Sequence, residues 1–361
     1  MATMIPVTIL TGFLGSGKTT LLKRLLNENH GMKIAVIENE FGEENIDNEI
    51  LVQESSEQII QMSNGCICCT IRGDLARVLG DLAQQKRDGK LDFDRVVIET
   101  TGLANPGPVA QTFFMDNEIA DEFLLDAIIT LVDAKHGNHQ LDEHEVVQRQ
   151  VGFADRLFIT KADLVDANEL ADLRHRLLHM NPKAQISQVD FGVANIKEVF
   201  DLRGFNLNAK LEIDPDFLAE DDHAHHDHDH GHDHEHAHDH ADCDHDHGHC
   251  NHEGHDHHHA HHDDKIKSFV YRSDRPFDAN RLEDFLGGIL QIYGERLLRY
   301  KGVLYMKGVD RKVVFQGVHQ MMGSDLAAKW LPVEKKTSKM VFIGIELPQD
   351  LITDGLDACL V

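Results

Sequence analysis

The sequence predicts an α/β protein with a mostly parallel, doubly wound sheet in its N-terminal half and a smaller α+β domain at its C-terminal end. Three observations predict it. Short apolar, β-branched runs alternate with stretches whose leucines repeat at helical spacing, the pattern of strand–helix units that wind a parallel sheet. Each of these runs ends in a polar motif, and ligands of such sheets sit at the carboxyl ends of strands. A long histidine- and acid-rich run then precedes a second set of strands and a helix.

Residues 7–10 are the first buried strand. They lead into Gly12-Phe13-Leu14-Gly15-Ser16-Gly17-Lys18-Thr19-Thr20, followed by Leu21, Leu22, Leu25 and Leu26 at helical spacing. Strand, glycine loop and helix with GxxxxGK(S/T) spacing define a phosphate-binding loop, so the first domain reads as a P-loop NTPase. Gly12, Gly15 and Gly17 let the backbone wrap an anion. The N–H groups of the loop, through Ser16, Thr19 and Thr20, converge on it at a helix N-terminus. Lys18 would reach the β- and γ-phosphates and the Thr19 hydroxyl would ligate Mg²⁺.

Lys33-Ile34-Ala35-Val36-Ile37 is the next strand and ends in the acidic loop Glu38-Asn39-Glu40-Phe41-Gly42-Glu43-Glu44. Residues 58–62 lead into Asn64-Gly65-Cys66-Ile67-Cys68-Cys69, and a helix over about 72–86 presents Leu75, Val78, Leu79 and Leu82 on one face. A strand at 96–98 ends in Glu99-Thr100-Thr101-Gly102. Nucleotide hydrolases keep an acid for Mg²⁺ or its water there, and a glycine whose N–H meets the γ-phosphate. Asp133, after the strand at 127–132, competes for the Mg²⁺ role, its plain alternative being a helix cap. A strand at 157–159 ends in Thr160-Lys161-Ala162-Asp163, which matches the (N/T)KxD base motif. The Asp163 carboxylate can accept two hydrogen bonds from the guanine edge, which adenine cannot reproduce, and the Lys161 stem would cover one face of the base. GTP is therefore expected over ATP.

Composition sets outer bounds. A chain of 361 residues suits two or three domains. A formal net charge of −27 argues against nucleic acid and anionic membrane as partners, and no apolar run approaches the roughly 18 residues of a membrane span. The N-terminus lacks the charged region of a signal peptide. Three of the six cysteines fall within residues 66–69, which suits a reducing, cytoplasmic compartment and a metal or redox role.

Cys66, Cys68 and Cys69 form CxCC. In an extended chain Cys66 and Cys68 share a face, and in a helix Cys66 and Cys69 do. Either pair offers zinc two thiolates, to be completed by harder ligands, for which Glu38 and Glu43 of the acidic loop are natural candidates. Buried structural thiols and a redox pair are the alternatives. Residues 220–264 contain 20 histidines and 15 acids, with Cys243 and Cys250 and no lysine or arginine. Such a stretch cannot bury a core and offers many exchangeable divalent-metal ligand sets, suited to capture or buffering. Isolated histidines such as His30, His179 and His319 are expected to satisfy local hydrogen bonds. Beyond Lys265, strands are expected at 268–271, 303–306, 313–316 and 340–347, with a helix carrying Leu282, Phe285, Leu286, Ile289, Leu290 and Tyr293. The expected division is a P-loop domain at 1–205, a linker at 206–264 containing the histidine-rich run, and an α+β domain at 265–361.

The phosphate loop, the ENEFGE loop, NGCICC, ETTG and TKAD, in this order, resemble the CobW-like metallochaperone GTPases over residues 4 to about 205, and residues 265–347 resemble that family's C-terminal domain. The resemblance implies slow GTP hydrolysis, with Lys18 and Glu99 as catalytic groups and Gly102 sensing the γ-phosphate. It also implies a divalent metal, zinc foremost, bound at CxCC, delivery of that metal to a client metalloprotein, and nucleotide-linked homodimers. Two rival readings remain at this level. One is a metal store acting through the histidine-rich run, and the other is a plain GTP switch with a structural metal.

Overall fold

The computed structural model describes residues 4–28, 30–38, 59–61, 71–205 and 264–361. The first sheet has seven strands: β1 (Ile5–Gly12), β2 (Ile34–Glu38), β3 (Ile59–Gln61), β4 (Arg95–Glu99), β5 (Phe123–Asp133), β6 (Arg156–Thr160) and β7 (Gln185–Val189). Their spatial order is β3-β2-β4-β1-β5-β6-β7, and every pairing is parallel. The mostly parallel, doubly wound sheet expected from the sequence is thus present. β1, β4, β5 and β6 are buried along almost their whole length, as strands covered on both faces by helices must be.

The covering helices are α1 (Lys18–Asn27), α2 (Ile71–Arg87), α3 (Pro106–Met115), α4 (Asn117–Glu122), α5 (Gly137–Glu143), α6 (Glu145–Phe153), α7 (Ala167–Met180) and α8 (Ile196–Val199). α1 buries Leu21, Leu22, Leu25 and Leu26, the stripe its leucine spacing predicts. α7 starts on a capping box, with the Asp166 side chain accepting from the Glu169 N–H and the Glu169 carboxylate accepting from the Asp166 N–H.

The second sheet is antiparallel, with β8 (Ile266–Ser273), β9 (Leu297–Leu304), β10 (Arg311–Val318), β11 (Met321–Lys329) and β12 (Ser338–Ile345) in the order β11-β10-β9-β12-β8. α9 (Ala279–Tyr293) and α10 (Gln349–Ala358) pack on one face of it, where Leu282, Leu286, Ile289, Ile352 and Leu356 form a core with Tyr300, Phe315 and Phe342. Its other side joins the first sheet's core through Ile266, Leu298, Val318, Val341 and Ile343, beside Val151 and Phe153 of α6. The two sheets therefore share apolar packing. An ion pair reinforces it: both guanidinium ends of Arg299 bond the two carboxylate oxygens of Asp155, at 2.9 and 2.7 Å.

The strand expected at 303–306 begins earlier, at Leu297, because Arg299 and Lys301 interrupt the apolar pattern while still occupying ladder positions. β7 and β11 were not expected. Both lie at sheet edges with mostly half-exposed or exposed residues, so neither carries a buried apolar run. Asp264, counted by composition with the acidic run, is instead buried and holds Arg176 at 2.6 and 3.1 Å. Arg176 also bonds Asp142 and the Asn138 carbonyl, so a buried guanidinium supplies the partner that makes burying this carboxylate affordable.

Candidate nucleotide and metal site

The site grows from the carboxyl ends of β1, β4, β5 and β6. Gly12 closes β1 at φ 140°, and a Cβ there would stand 2.4 Å from the Leu131 carbonyl of β5 and 2.8 Å from Ser16 Oγ. No side chain fits, so the chain turns into the loop against β5. Ser16 Oγ is buried and has no hydrogen-bond partner among the described residues, as suits a hydroxyl lining an anion cradle. Lys18 opens α1 and donates from Nζ to the Gly12 and Phe13 carbonyls at 2.8 and 3.1 Å. Burial holds its amine below the ordinary lysine range, and the Glu99 carboxylate opposes that shift.

Thr19 Oγ1 donates to Glu99 Oε1 at 2.8 Å. Glu99 is the last residue of β4, and the next residue secures the chain to β1, with Thr100 N–H on the Leu10 carbonyl at 3.0 Å and Thr100 Oγ1 donating to Thr11 Oγ1 at 2.8 Å. The pair Thr19–Glu99 brings a hydroxyl and a carboxylate together beside the phosphate loop, a hard-oxygen set that fits Mg²⁺. Gly102 lies against the tip of the phosphate loop: a Cβ would meet Leu14 N at 2.5 Å and Leu14 Cα at 2.8 Å. Only glycine allows this approach.

The base motif does two jobs. Thr160 Oγ1 donates to the Ser16 carbonyl at 2.8 Å and to the Val132 carbonyl at 3.3 Å, so the first position of the motif braces the phosphate loop. A hydroxyl donor suffices for this, which accounts for Thr in place of Asn. Lys161 has left-handed backbone, φ 57°, and its Nζ lies 2.6 Å from Asp133 Oδ2. The other Asp133 oxygen accepts from the Lys135 and His136 N–H groups. The Mg²⁺ role weighed for Asp133 is not where the structure puts it, since the buried carboxylate is occupied with a turn cap and with fixing Lys161. Asp163, two residues on, is exposed, leaving its carboxylate accessible to a base edge.

Two contributors were missed from the sequence. Gln150 of α6 is fully buried and donates from Nε2 to the Gly102 and Ala104 carbonyls at 3.1 and 3.0 Å. Phe13 of the phosphate loop stacks on His144, the residue before α6, with ring centroids 4.7 Å apart. Neither Gln150 nor His144 sits in a recognisable motif, and no signal in the chain marks them.

Of the proposed metal ligands, Glu38 is described. It ends β2 and pairs in register with Glu99 on one side and Gln61, the end of β3, on the other. Cys66, Cys68, Cys69 and Glu43 lie outside the described residues, as do Cys243, Cys250 and residues 220–263. Among the described residues, no three His, Cys, Asp or Glu side chains gather to hold a metal ion, and no helix is long and apolar enough to cross a membrane. His30 and His319 hydrogen-bond the Leu25 and Gly294 carbonyls, the local role expected of them.

Residues 6–188 match the family model described as CobW/HypB/UreG, nucleotide-binding domain, and residues 266–360 match the cobalamin synthesis protein cobW C-terminal domain. The chain is 38% identical over 349 residues to the zinc chaperone YjiA of Escherichia coli, covering 96% of each chain. It is 33% identical to the zinc chaperone CobW of Pseudomonas aeruginosa, over 99% of this chain and 92% of that one. The crystal structure of Zn(II)-bound YjiA GTPase from E. coli superposes with a TM-score of 0.73 at 34% identity, covering both chains completely. With the phosphate loop, its acid partner and the base motif assembled at the carboxyl ends of neighbouring strands, the chain is a P-loop GTPase of the CobW/HypB/UreG family.

Proposed function

We propose that this GTPase is a metallochaperone that binds a divalent metal, zinc foremost, through Cys66, Cys68 and Cys69 with Glu38 and Glu43, and hands it to a client metalloprotein under control of GTP hydrolysis. The observation that carries this reading is the register of Glu38, which stands between Glu99 and Gln61 at one level of the sheet. A candidate metal ligand thus neighbours the acid beside the phosphate loop. The CxCC sequence begins five residues after Gln61. The names of the two relatives, both zinc chaperones, support zinc as the metal.

In this reading the loop N–H groups and Lys18 hold the phosphates of GTP, while Asp163 and Lys161 select guanine. Thr19 and Glu99 would hold Mg²⁺ directly or through its water, and the ion would supply neutralisation of the charge that develops on phosphoryl transfer. The Gly102 N–H would meet the γ-phosphate. Hydrolysis would remove that contact, and the paired strand ends of Glu99 and Glu38 would pass the change to the metal ligands. The histidine-rich run serves capture of metal in a chain divided into a GTPase domain at 1–205, a linker at 206–264 and a C-terminal domain at 265–361. We further propose a cytoplasmic protein that forms nucleotide-linked homodimers.

The test is anaerobic zinc competition on the full chain with GDP and with a non-hydrolysable GTP analogue. Zinc affinity should differ between the two nucleotides, and C66S/C68S/C69S should abolish the difference. Coupling between two ligands is reciprocal, so equal affinities in the wild-type chain would reject the chaperone in favour of a plain switch. A nucleotide-dependent difference that survives the cysteine substitutions would move the site elsewhere.

A further inference from the structure

We propose that Gln150 is a positioning residue for GTP hydrolysis, holding the loop that carries Gly102 in the geometry that recognises the γ-phosphate. Its carboxamide is fully buried and spends its donor nitrogen on two carbonyls of that loop, Gly102 at 3.1 Å and Ala104 at 3.0 Å. These bonds fix the loop from below. From above, Gly102 is pressed against Leu14 of the phosphate loop. The Gly102 backbone is thus clamped between the phosphate loop and one side chain of α6.

The helix that supplies the clamp is itself anchored on several sides. The main-chain carbonyl of Gln150 accepts from Thr130 Oγ1 at 2.7 Å, which ties the helix to β5. Gln148, two residues earlier, accepts from the Lys265 and Ile266 N–H groups at 3.1 and 3.4 Å and donates to the Leu141 carbonyl. His144, before the first turn, stacks on Phe13 of the phosphate loop. Asp155, just beyond the last turn, holds Arg299 of β9. A side chain set in so constrained a helix can position a loop to within a fraction of an ångström, and misplacement of about 1 Å costs about a hundredfold in rate. Among the described residues the buried Gln150 oxygen has no hydrogen-bond partner, so donation to the two carbonyls is the polar work shown for this side chain.

This inference rests on the GTPase assignment and is independent of the metal-transfer reading, so it is tested without metal beyond Mg²⁺. Gln150→Met keeps the volume and removes the donor. Its kcat should fall by about tenfold or more, and its preference for a non-hydrolysable GTP analogue over GDP should fall similarly, with GDP affinity within about twofold of wild type. A merely structural lesion would weaken both nucleotides together. Gln150→His, whose Nε2–H can keep one of the two bonds, should lose about threefold in that preference. An unchanged ratio of analogue to GDP affinity in folded Gln150→Met overturns the proposal. If that variant does not fold, an unchanged ratio in Gln150→His overturns it instead.

Discussion

Thr19 donates its hydroxyl to Glu99 across 2.8 Å, although 80 residues separate them in the chain. The bond puts the side chain proposed for Mg²⁺ on α1 next to the acid at the end of β4. Glu99→Gln keeps the size and an acceptor for Thr19 but removes the charge. GTP turnover should fall by about a hundredfold, in the range found when one transition-state electrostatic contact is lost. GDP affinity measured without Mg²⁺ should stay within about threefold, because uncharged phosphate-loop contacts are untouched. Turnover within about twofold of wild type would take Glu99 out of the mechanism.

The base side of the site depends on a second relay. Lys161 is held by Asp133, and Asp163 is the exposed acceptor two residues on. Asp163→Ala should cut the preference for GTP over ATP by at least about tenfold, since a site built on paired hydrogen bonds discriminates through them. Asp133→Asn, which loosens Lys161, should weaken GTP and GDP equally and leave the preference between bases nearly intact. Nucleotide titration of both variants with guanine and adenine diphosphates distinguishes selection by Asp163 from positioning by Asp133.

The parts of this site that the sequence discloses are those made by local backbone chemistry. Glycines at 12, 15 and 17 next to Lys18 and Thr19 encode a loop in consecutive residues, and ETTG and TKAD each close a buried strand that announces itself by its apolar run. The missed parts are single side chains reaching far along the chain: Gln150 to Gly102, Thr160 to Ser16, Lys161 to Asp133. Nothing in the neighbourhood of Gln150 distinguishes it from a surface glutamine of an amphipathic helix. The Mg²⁺ candidacy of Asp133 arose from the same blindness, because strand-end position was legible and the Lys161 partner was not. β7 and β11 escaped notice as edge strands, which carry polar residues on exposed positions and need no continuous apolar run.

His319 gives a pH prediction. It is buried against Phe153 and bonded to the Gly294 carbonyl. Burial pushes its pKa below the ordinary histidine value, helped by the Arg149 charge and opposed by the Gly294 carbonyl and Glu295. The unfolded chain would protonate this imidazole near pH 6.5 while the folded chain still excludes the proton. The unfolded state then binds more protons, so this contribution is complete above about pH 6.5 and is lost as pH falls below it through the folded pKa. Urea unfolding at pH 7.5, 6 and 5 should show a shallower acid loss for His319→Gln than for the wild-type chain. Parallel curves would mean that His319 titrates alike in both states.

The pair Arg299–Asp155 carries the last prediction. Both side chains are almost wholly buried, and the guanidinium also bonds the Phe153 and Gly204 carbonyls while lying over the Phe205 ring, 3.9 Å from its centroid. Asp155 additionally accepts from the Ile128 N–H. Removing the carboxylate alone leaves a charge in a dry interface, so Asp155→Leu should lower the unfolding free energy by about 3–5 kcal/mol. Arg299→Met removes the cation that faces the Asp155 carboxylate, a loss of similar size. The double variant Asp155→Leu/Arg299→Met should recover a large part of either loss, because neither charge is then stranded and the cavity is filled by apolar atoms. A double-mutant cycle by chemical denaturation measures this directly. Additive losses would mean that each side chain acts through its other contacts rather than through the pair.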